Sequence, residues 1–259
     1  MGSEKKRLDH LSPAMVAGSA ESVAQDLNAR PSIVGIGASA GGLEAFELFF
    51  RACPADSGMA FVLVSHLDPG HVSLLTEILQ RTTAMPVLEA VDQLEVEPDH
   101  VYVIPPNRDM AILHRKLQLT APAAPRGLRM PVDFFLRSLA EDQQENAVGI
   151  ILSGTGSDGT LGLRAVFGAG GVTLAQEPSS AKYDGMPSSA IKSGYVTHVL
   201  PAEKMPAALQ ACARRLAVPP ETPPEPALAG GLSHILMQLR TLTGHDFSLY
   251  KKSTVGRRI

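Results

Sequence analysis

Residues 32–50 read SIVGIGASAGGLEAFELFF, and the fold expected of the whole chain follows from how this stretch is parsed. Residues 32–37 are a short apolar run with β-branched Ile33, Val34 and Ile36, the composition of a buried strand. The run breaks at Gly37-Ala38-Ser39-Ala40-Gly41-Gly42, after which Leu43, Phe46 and Phe50 recur at helical spacing. A strand, a turn of small residues and a helix therefore follow one another, with Ser39 at the apex. Gly37-Ala38-Ser39-Ala40-Gly41 fits the G-x-S-x-G elbow, in which a sharp turn lifts a nucleophilic serine above a sheet. Glycines suit such a turn because a Cβ there collides with the strand or the helix. The free N–H groups and the positive end of the helix that follows would face a developing oxyanion. The same letters admit two other readings. Gly35-x-Gly37-x-x-Ala40 fits the dinucleotide fingerprint, with a pyrophosphate on those amides. The glycines also serve close strand–helix packing with no ligand at all.

Composition narrows the classes. The 259 residues are 44% hydrophobic and 19% charged, enough for one large core and an appendage. A net charge of −3 and a pI near 6.2 argue against a nucleic-acid footprint. No apolar run approaches the ~20 residues of a membrane span, and residues 1–30 have no h-region of a secretory signal. Cys53 and Cys212 have no metal-ligand spacing and read as small buried hydrophobes in a reducing, cytoplasmic compartment.

Beyond the first helix, strands are expected at 59–65, 85–91, 99–104, 147–153, 171–175 and 194–200, and helices at 72–81, 132–143, 161–168 and 202–216. Residues 110–119 read as a β-hairpin around His114-Arg115-Lys116. Strands alternating with helices describe an α/β fold: a doubly wound, mostly parallel sheet with helices on both faces and a β-hairpin, a Rossmann-like three-layer sandwich.

A serine needs a base within reach and a group that orients the base. In a doubly wound sheet the residues that meet lie just past the carboxyl ends of strands. His66 sits at such an end, and Asp158 follows the strand 147–153 in the turn Gly154-Thr155-Gly156-Ser157-Asp158-Gly159. Ser39, His66 and Asp158 share one rim. His66 as a strand cap and Asp158 as an N-cap of the following helix are the plainer roles. His198 offers a rival base in the chain order Ser, Asp, His of α/β-hydrolases. It lies within a strand, however, where the sheet fixes its side chain to one face.

The motifs so assembled resemble the CheB-type chemotaxis receptor methylesterases, the protein-glutamate methylesterases, over residues 32–216. The resemblance rests on GIGASAGG with Ser39, VSHLDPGH with His66, HVYVIPPNRDM, RGLRMPVDFFLRSLA, ILSGTGSDG with Asp158, and YDGMPSSAI. It implies hydrolysis of γ-glutamyl methyl esters on the cytoplasmic helices of chemoreceptors, often with glutamine deamidation. Ser39 would be the nucleophile, His66 the base and Asp158 the group orienting it, with no cofactor or metal. Ala40, Gly41, Thr155, Gly156 and Met186 would supply the oxyanion and substrate-binding site, Met186 from the stretch Gly185-Met186-Pro187 beside the cleft. Many relatives carry Thr and Met where this chain has Ala40 and Thr155; a backbone donor survives either change, but substrate fit can differ. A degenerate esterase that docks on receptors without turnover is the alternative.

The chain divides into a polar tail (1–30), the esterase domain (31–217), a proline-rich linker (218–230) and a helical segment (231–259). Thirty N-terminal residues cannot hold the receiver domain that precedes many relatives. HDFSLYKKSTVGRRI, residues 245–259, resembles the opening of the chemotaxis receptor methyltransferases, which use S-adenosylmethionine. An esterase–methyltransferase fusion, cut within its second half, is the expectation; the transferase and its cofactor would belong to the missing part.

Overall fold

The computed structural model describes residues 32–65, 74–122 and 129–217, with side chains to residue 212. The expected N-terminal tail, the linker, the methyltransferase-like segment and His66 lie outside the described residues. Nine strands are described: β1 (Ile33–Ala38), β2 (Ala60–Ser65), β3 (Val87–Glu89), β4 (Val101–Val103), β5 (Asp109–Leu113), β6 (Lys116–Thr120), β7 (Ala147–Ile151), β8 (Val172–Gln176) and β9 (His198–Leu200). The helices are α1 (Gly42–Ala52), α2 (Leu75–Gln80), α3 (Pro131–Gln143), α4 (Thr160–Gly168), α5 (Gly185–Ser193) and α6 (Met205–Ala217).

Seven strands form one sheet in the order β3-β4-β2-β1-β7-β8-β9, every neighbouring pair parallel. The remaining two, β5 and β6, pair as an antiparallel hairpin. Its turn residues His114 and Arg115 both have positive φ, 50° and 61°, as a two-residue primed turn requires. Asp142 of α3 accepts hydrogen bonds from both of their backbone N–H groups.

The sheet is covered on both faces. Val34 and Ile36 of β1, with Phe61 and Leu63 of β2, pack against Phe46, Phe49 and Phe50 of α1 and against Leu79, Met205 and Leu209. The alternate residues Ile33, Val62, Val64 and Ile151 face Phe135, Leu136 and Leu139 of α3, Leu163 and Val166 of α4, and the hairpin residues Met110 and Leu117. The period of two along each strand divides the core between the layers.

Gly35 and Gly37 have a specific packing role. A Cβ on Gly37 would sit 2.2 Å from Val132 Cγ1, and one on Gly35 would sit 2.7 Å from Leu136 Cδ2. Helix α3 thus crosses β1 where β1 has no side chains on that face. Two of the positions that fit a dinucleotide fingerprint are packed against a helix from about a hundred residues further along the chain.

Three expectations need correction. Residues 85–91, 99–104 and 194–200 contribute only three paired residues each. β3 and β9 are edge strands that pair on one side only, and Gly194, at φ 78°, ends α5 before β9 can begin. Helix α5 had no counterpart in the reading, because GMPSSAI offers few apolar positions from which to count a period. His198 is a strand residue as expected, the first of the shortened β9, and it is exposed. Among the described residues no helix is long and apolar enough to cross a membrane.

Candidate active site

Strand β1 has β2 on one side and β7 on the other, so the chain's crossovers diverge at its carboxyl end. That is the topological switch point where doubly wound sheets open a crevice. Ser39 follows β1 there, half-buried. Its N–H donates to Ser153 O at 3.0 Å, just past β7, and its own carbonyl accepts from Gly42 N at 2.9 Å. Gly41 takes φ 71° as the N-cap of α1, a left-handed conformation that costs a side chain dearly and glycine little. A Cβ on Gly41 would also lie 2.7 Å from Ser153 Oγ. The elbow is therefore closed from beneath by β7.

Across the crevice, Gly154 comes so close that a Cβ on it would sit 3.1 Å from Ser39 Cβ and 2.2 Å from Met186 Sδ. Met186 is fully buried under this loop, while Thr155 and Gly156 are exposed at its tip. The backbone N–H groups of Ala40, Gly41, Thr155 and Gly156 have no hydrogen-bond partner among the described residues. Donors without partners on both sides of a serine are what an oxyanion site requires.

Asp158 is buried at 2% exposure. Its Oδ1 accepts from Asp133 N at 2.9 Å and Gly159 N at 2.8 Å, and its Oδ2 from Val132 N at 3.1 Å. Val132 and Asp133 occupy the second and third positions of α3, whose N-cap residue Met130 makes no side-chain cap bond. Asp158 thus caps α3 from a distant segment, whereas the sequence suggested the helix that follows it. Asp133 returns the arrangement: its Oδ1 accepts from Gly162 N at 2.7 Å in the first turn of α4. Each carboxylate satisfies donors that the other's helix leaves open. Burial pushes the Asp133 carboxyl above its ordinary range and the neighbouring Asp158 charge adds to this, against the Gly162 hydrogen bond and Arg137. A carboxylate offers about four lone-pair sites, so three backbone donors on Asp158 are compatible with a fourth.

Ser65 pairs with Ala38 in register and ends β2 beside the elbow; His66 is the next residue in the chain and is outside the described residues. The rival His198 is level with Ile36 through the register Ile36–Ile150–Leu174–His198. That places it three strands away, ~14 Å across the sheet, and ~10 Å short of Ser39 along the strand direction. Its imidazole does not reach the serine. Among the described residues no cluster of His, Cys, Asp or Glu could hold a metal ion.

Two polar residues of the site escaped the sequence reading. Ser153, 1% exposed, and Gln176, also 1% exposed, are buried at the ends of β7 and β8. Gln176 Oε1 accepts from Ser153 N at 2.8 Å, and its Nε2 donates to Ser180 O at 3.0 Å. A polar residue closing an apolar strand was the available signal, and both residues close one.

The fold has counterparts among known proteins. A family model described as CheB methylesterase matches residues 34–209. A protein-glutamate methylesterase/protein-glutamine glutaminase of Pseudomonas aeruginosa is 37% identical over 188 residues, 71% of this chain and 54% of that protein. Its counterpart in Photorhabdus laumondii is 36% identical over 178 residues, 67% of this chain and 50% of that protein. The chain spans about half the length of these two relatives. An uncharacterized 104.1 kDa protein of Rhodobacter capsulatus is 44% identical over 131 residues, only 14% of its length. The crystal structure of the Thermotoga maritima CheB methylesterase catalytic domain superposes with a TM-score of 0.66 at 32% identity, covering 70% of this chain and 98% of that one.

Proposed function

The chain belongs to the CheB methylesterase family, and from that premise we propose that it is a serine hydrolase that removes methyl groups from glutamate esters on chemoreceptors, releasing methanol, and also deamidates glutamine. The observation that carries this reading is the elbow: Ser39 at the switch point, between two sets of backbone donors that have no partner among the described residues. In the proposed reaction Ser39 Oγ attacks the ester carbonyl carbon while His66 takes its proton. The tetrahedral oxyanion is received by N–H groups of Ala40, Gly41, Thr155 and Gly156. Collapse expels methoxide, protonated by His66 to methanol, and leaves an acyl-Ser39. Water then adds, gives its proton to His66, and returns free serine and a glutamate carboxylate. Asp158 holds the imidazole in the productive tautomer. Met186, buried beneath Gly154, supports the loop from behind.

Methanol release from a methylated cytoplasmic fragment of a chemoreceptor tests the reading. Ser39→Ala creates no core cavity, so it should abolish release and labelling by a fluorophosphonate while the fold persists. A folded Ser39→Ala protein that still releases methanol at the wild-type rate overturns it. Labelling also separates an enzyme from a docking module, which would bind receptor without reacting.

The proposal extends to the surroundings of the domain. We place the esterase domain at 31–217 in the cytoplasm, with receptor helices as partners, and read residues 231–259 as the start of a methyltransferase domain using S-adenosylmethionine. What supports a fusion is the proline-rich stretch at 218–226 and the Rhodobacter relative, in which the matched region is a small part of a long chain. Truncation after Ala217 should then leave the thermal midpoint within a few degrees; insolubility of that fragment would reject the boundary.

A further inference from the structure

We propose that Ser153 is a positioning residue for this hydrolysis: its buried hydroxyl holds the Ala40–Gly41 peptide so that the oxyanion donors face the crevice. The inference rests on the reading of Ser39 as nucleophile. It deepens that reading by naming what sets the donors' direction.

Both sides of the elbow are tied to Ser153. Its carbonyl accepts from Ser39 N at 3.0 Å, and its Oγ lies 2.9 Å from Ala40 O and 3.3 Å from Tyr183 O. A hydroxyl has one proton to give. Ala40 O is the nearer acceptor and has no other partner among the described residues, whereas Tyr183 O also accepts from Gly154 N at 2.9 Å; the shorter contact takes the Ser153 proton. In a trans peptide the C=O and N–H point in opposite directions. Drawing the Ala40 carbonyl down onto Ser153 therefore turns the Gly41 N–H away from it. The preceding peptide is fixed likewise, because Gly42 N holds Ser39 O at 2.9 Å and so directs the Ala40 N–H the other way.

The same oxygen reaches the second set of donors. Ser153 Oγ accepts from Tyr183 N at 3.0 Å. Tyr183 O accepts from Gly154 N, and Gly154 O accepts from Met186 N at 2.8 Å. The segment that backs Gly154 and Thr155 is thus pinned to the atom that pins the elbow. Gln176 in turn clamps Ser153 through its backbone N–H. Ser153 is 1% exposed and lies beneath Gly41, so it acts through the backbone and does not touch substrate.

The experiment measures kcat and KM for methanol release from a methylated receptor fragment with Ser153→Ala, Ser153→Cys and Ser153→Thr, using Ser39→Ala as control. Removing an oxyanion donor outright costs about 10²–10³ in kcat. Loosening donors that remain present should cost less, roughly 10–100-fold, and fall on kcat with KM within about twofold, because the interaction matters in the transition state. Ser153→Thr keeps the hydroxyl and should recover most of the rate, which a purely structural loss would not predict for a larger side chain. Should Ser153→Ala fail to fold, Ser153→Cys carries the reading, with a near-isosteric but weak donor expected to fall between alanine and wild type. A kcat within twofold of wild type for folded Ser153→Ala, or for Ser153→Cys if the alanine variant does not fold, overturns the proposal. So does a folded Ser153→Thr as slow as the alanine variant, or as slow as Ser153→Cys where alanine does not fold. If Ser39→Ala itself remains active, it is the nucleophile assignment that fails.

Discussion

Replacing Asp158 with asparagine is the substitution ordinarily used to test a triad acid, and here it reaches further than the triad. The carboxylate accepts three backbone N–H groups, from Val132, Asp133 and Gly159. An asparagine of the same shape keeps one oxygen. Facing that oxygen to Asp133 and Gly159 saves two bonds but turns the amide NH₂ onto the Val132 N–H, donor against donor. A bond to a charged acceptor contributes about 1.5–3 kcal/mol and a neutral one about 0.5–1.5. One bond is lost, two are weakened, and the negative charge at the N-terminus of α3 disappears, worth about 0.3–1 kcal/mol more. Relief of repulsion with Asp133 offsets part of this. The expected destabilisation is about 2–4 kcal/mol, or roughly 5–15 °C in thermal midpoint for a domain of this size. Urea denaturation of wild type and Asp158→Asn measures it directly, and methanol release well below both midpoints measures the catalytic loss separately. In serine proteases the corresponding change lowers turnover about 10⁴-fold through the wrong tautomer, and a loss in that direction is expected here. An unfolding free energy unchanged within about 0.5 kcal/mol refutes the capping argument, whatever happens to the rate.

Gly37→Ala should destabilise by about 1–3 kcal/mol through overpacking, because its Cβ would arrive 2.2 Å from Val132 Cγ1 and 3.0 Å from Ile151 Cδ1; wild-type denaturation would contradict the close approach of α3. The Asp133 carboxyl is raised by burial first and by the Asp158 charge as well. A folded-state value above the unfolded one gives a contribution fully present below the unfolded value and lost as pH rises through the folded value. Asp133→Asn, which keeps an oxygen for Gly162 N, should therefore gain on wild type between about pH 4 and neutrality, and a pH-independent difference in denaturation midpoint would reject this. Burial, followed by the Asp99 charge, pushes the Cys53 thiol up to about 12. Cys53 should resist a disulfide reagent at pH 8 until urea unfolds the protein, and rapid labelling of native Cys53, read by peptide mapping, is the contrary result.

The first strand and the elbow were legible because both depend on short-range rules: a β-branched run, a turn of small residues, then apolar spacing of three and four. The parallel sheet followed from the alternation of such units, since parallel strands need a crossover and a helix is the compact one. Helix α5 was not legible. Its packing rests on Met186, Pro187 and Ala190, too few positions to show a period. Strands β3, β4 and β9 were read too long, because an apolar composition does not show where backbone pairing with the neighbouring strand stops.

The chemistry divided along the same line. Ser39 announced itself by its glycines, and Asp158 by its place after an apolar strand; what Asp158 bonds to did not follow from either. Two of its partners are the backbone N–H groups of Val132 and Asp133, 26 and 25 residues earlier, in the first turn of α3. Gly37 admitted a turn, a phosphate site or close strand–helix packing; packing is the role it has, and which helix lies across it did not follow from the sequence. Ser153 read as the last residue of a strand, yet its hydroxyl sits where the ends of two elements 113 residues apart converge. A side chain's local sequence determines which conformation its backbone prefers. Which donors it meets is determined by the packing of both sheet faces, and only the tertiary structure holds that information.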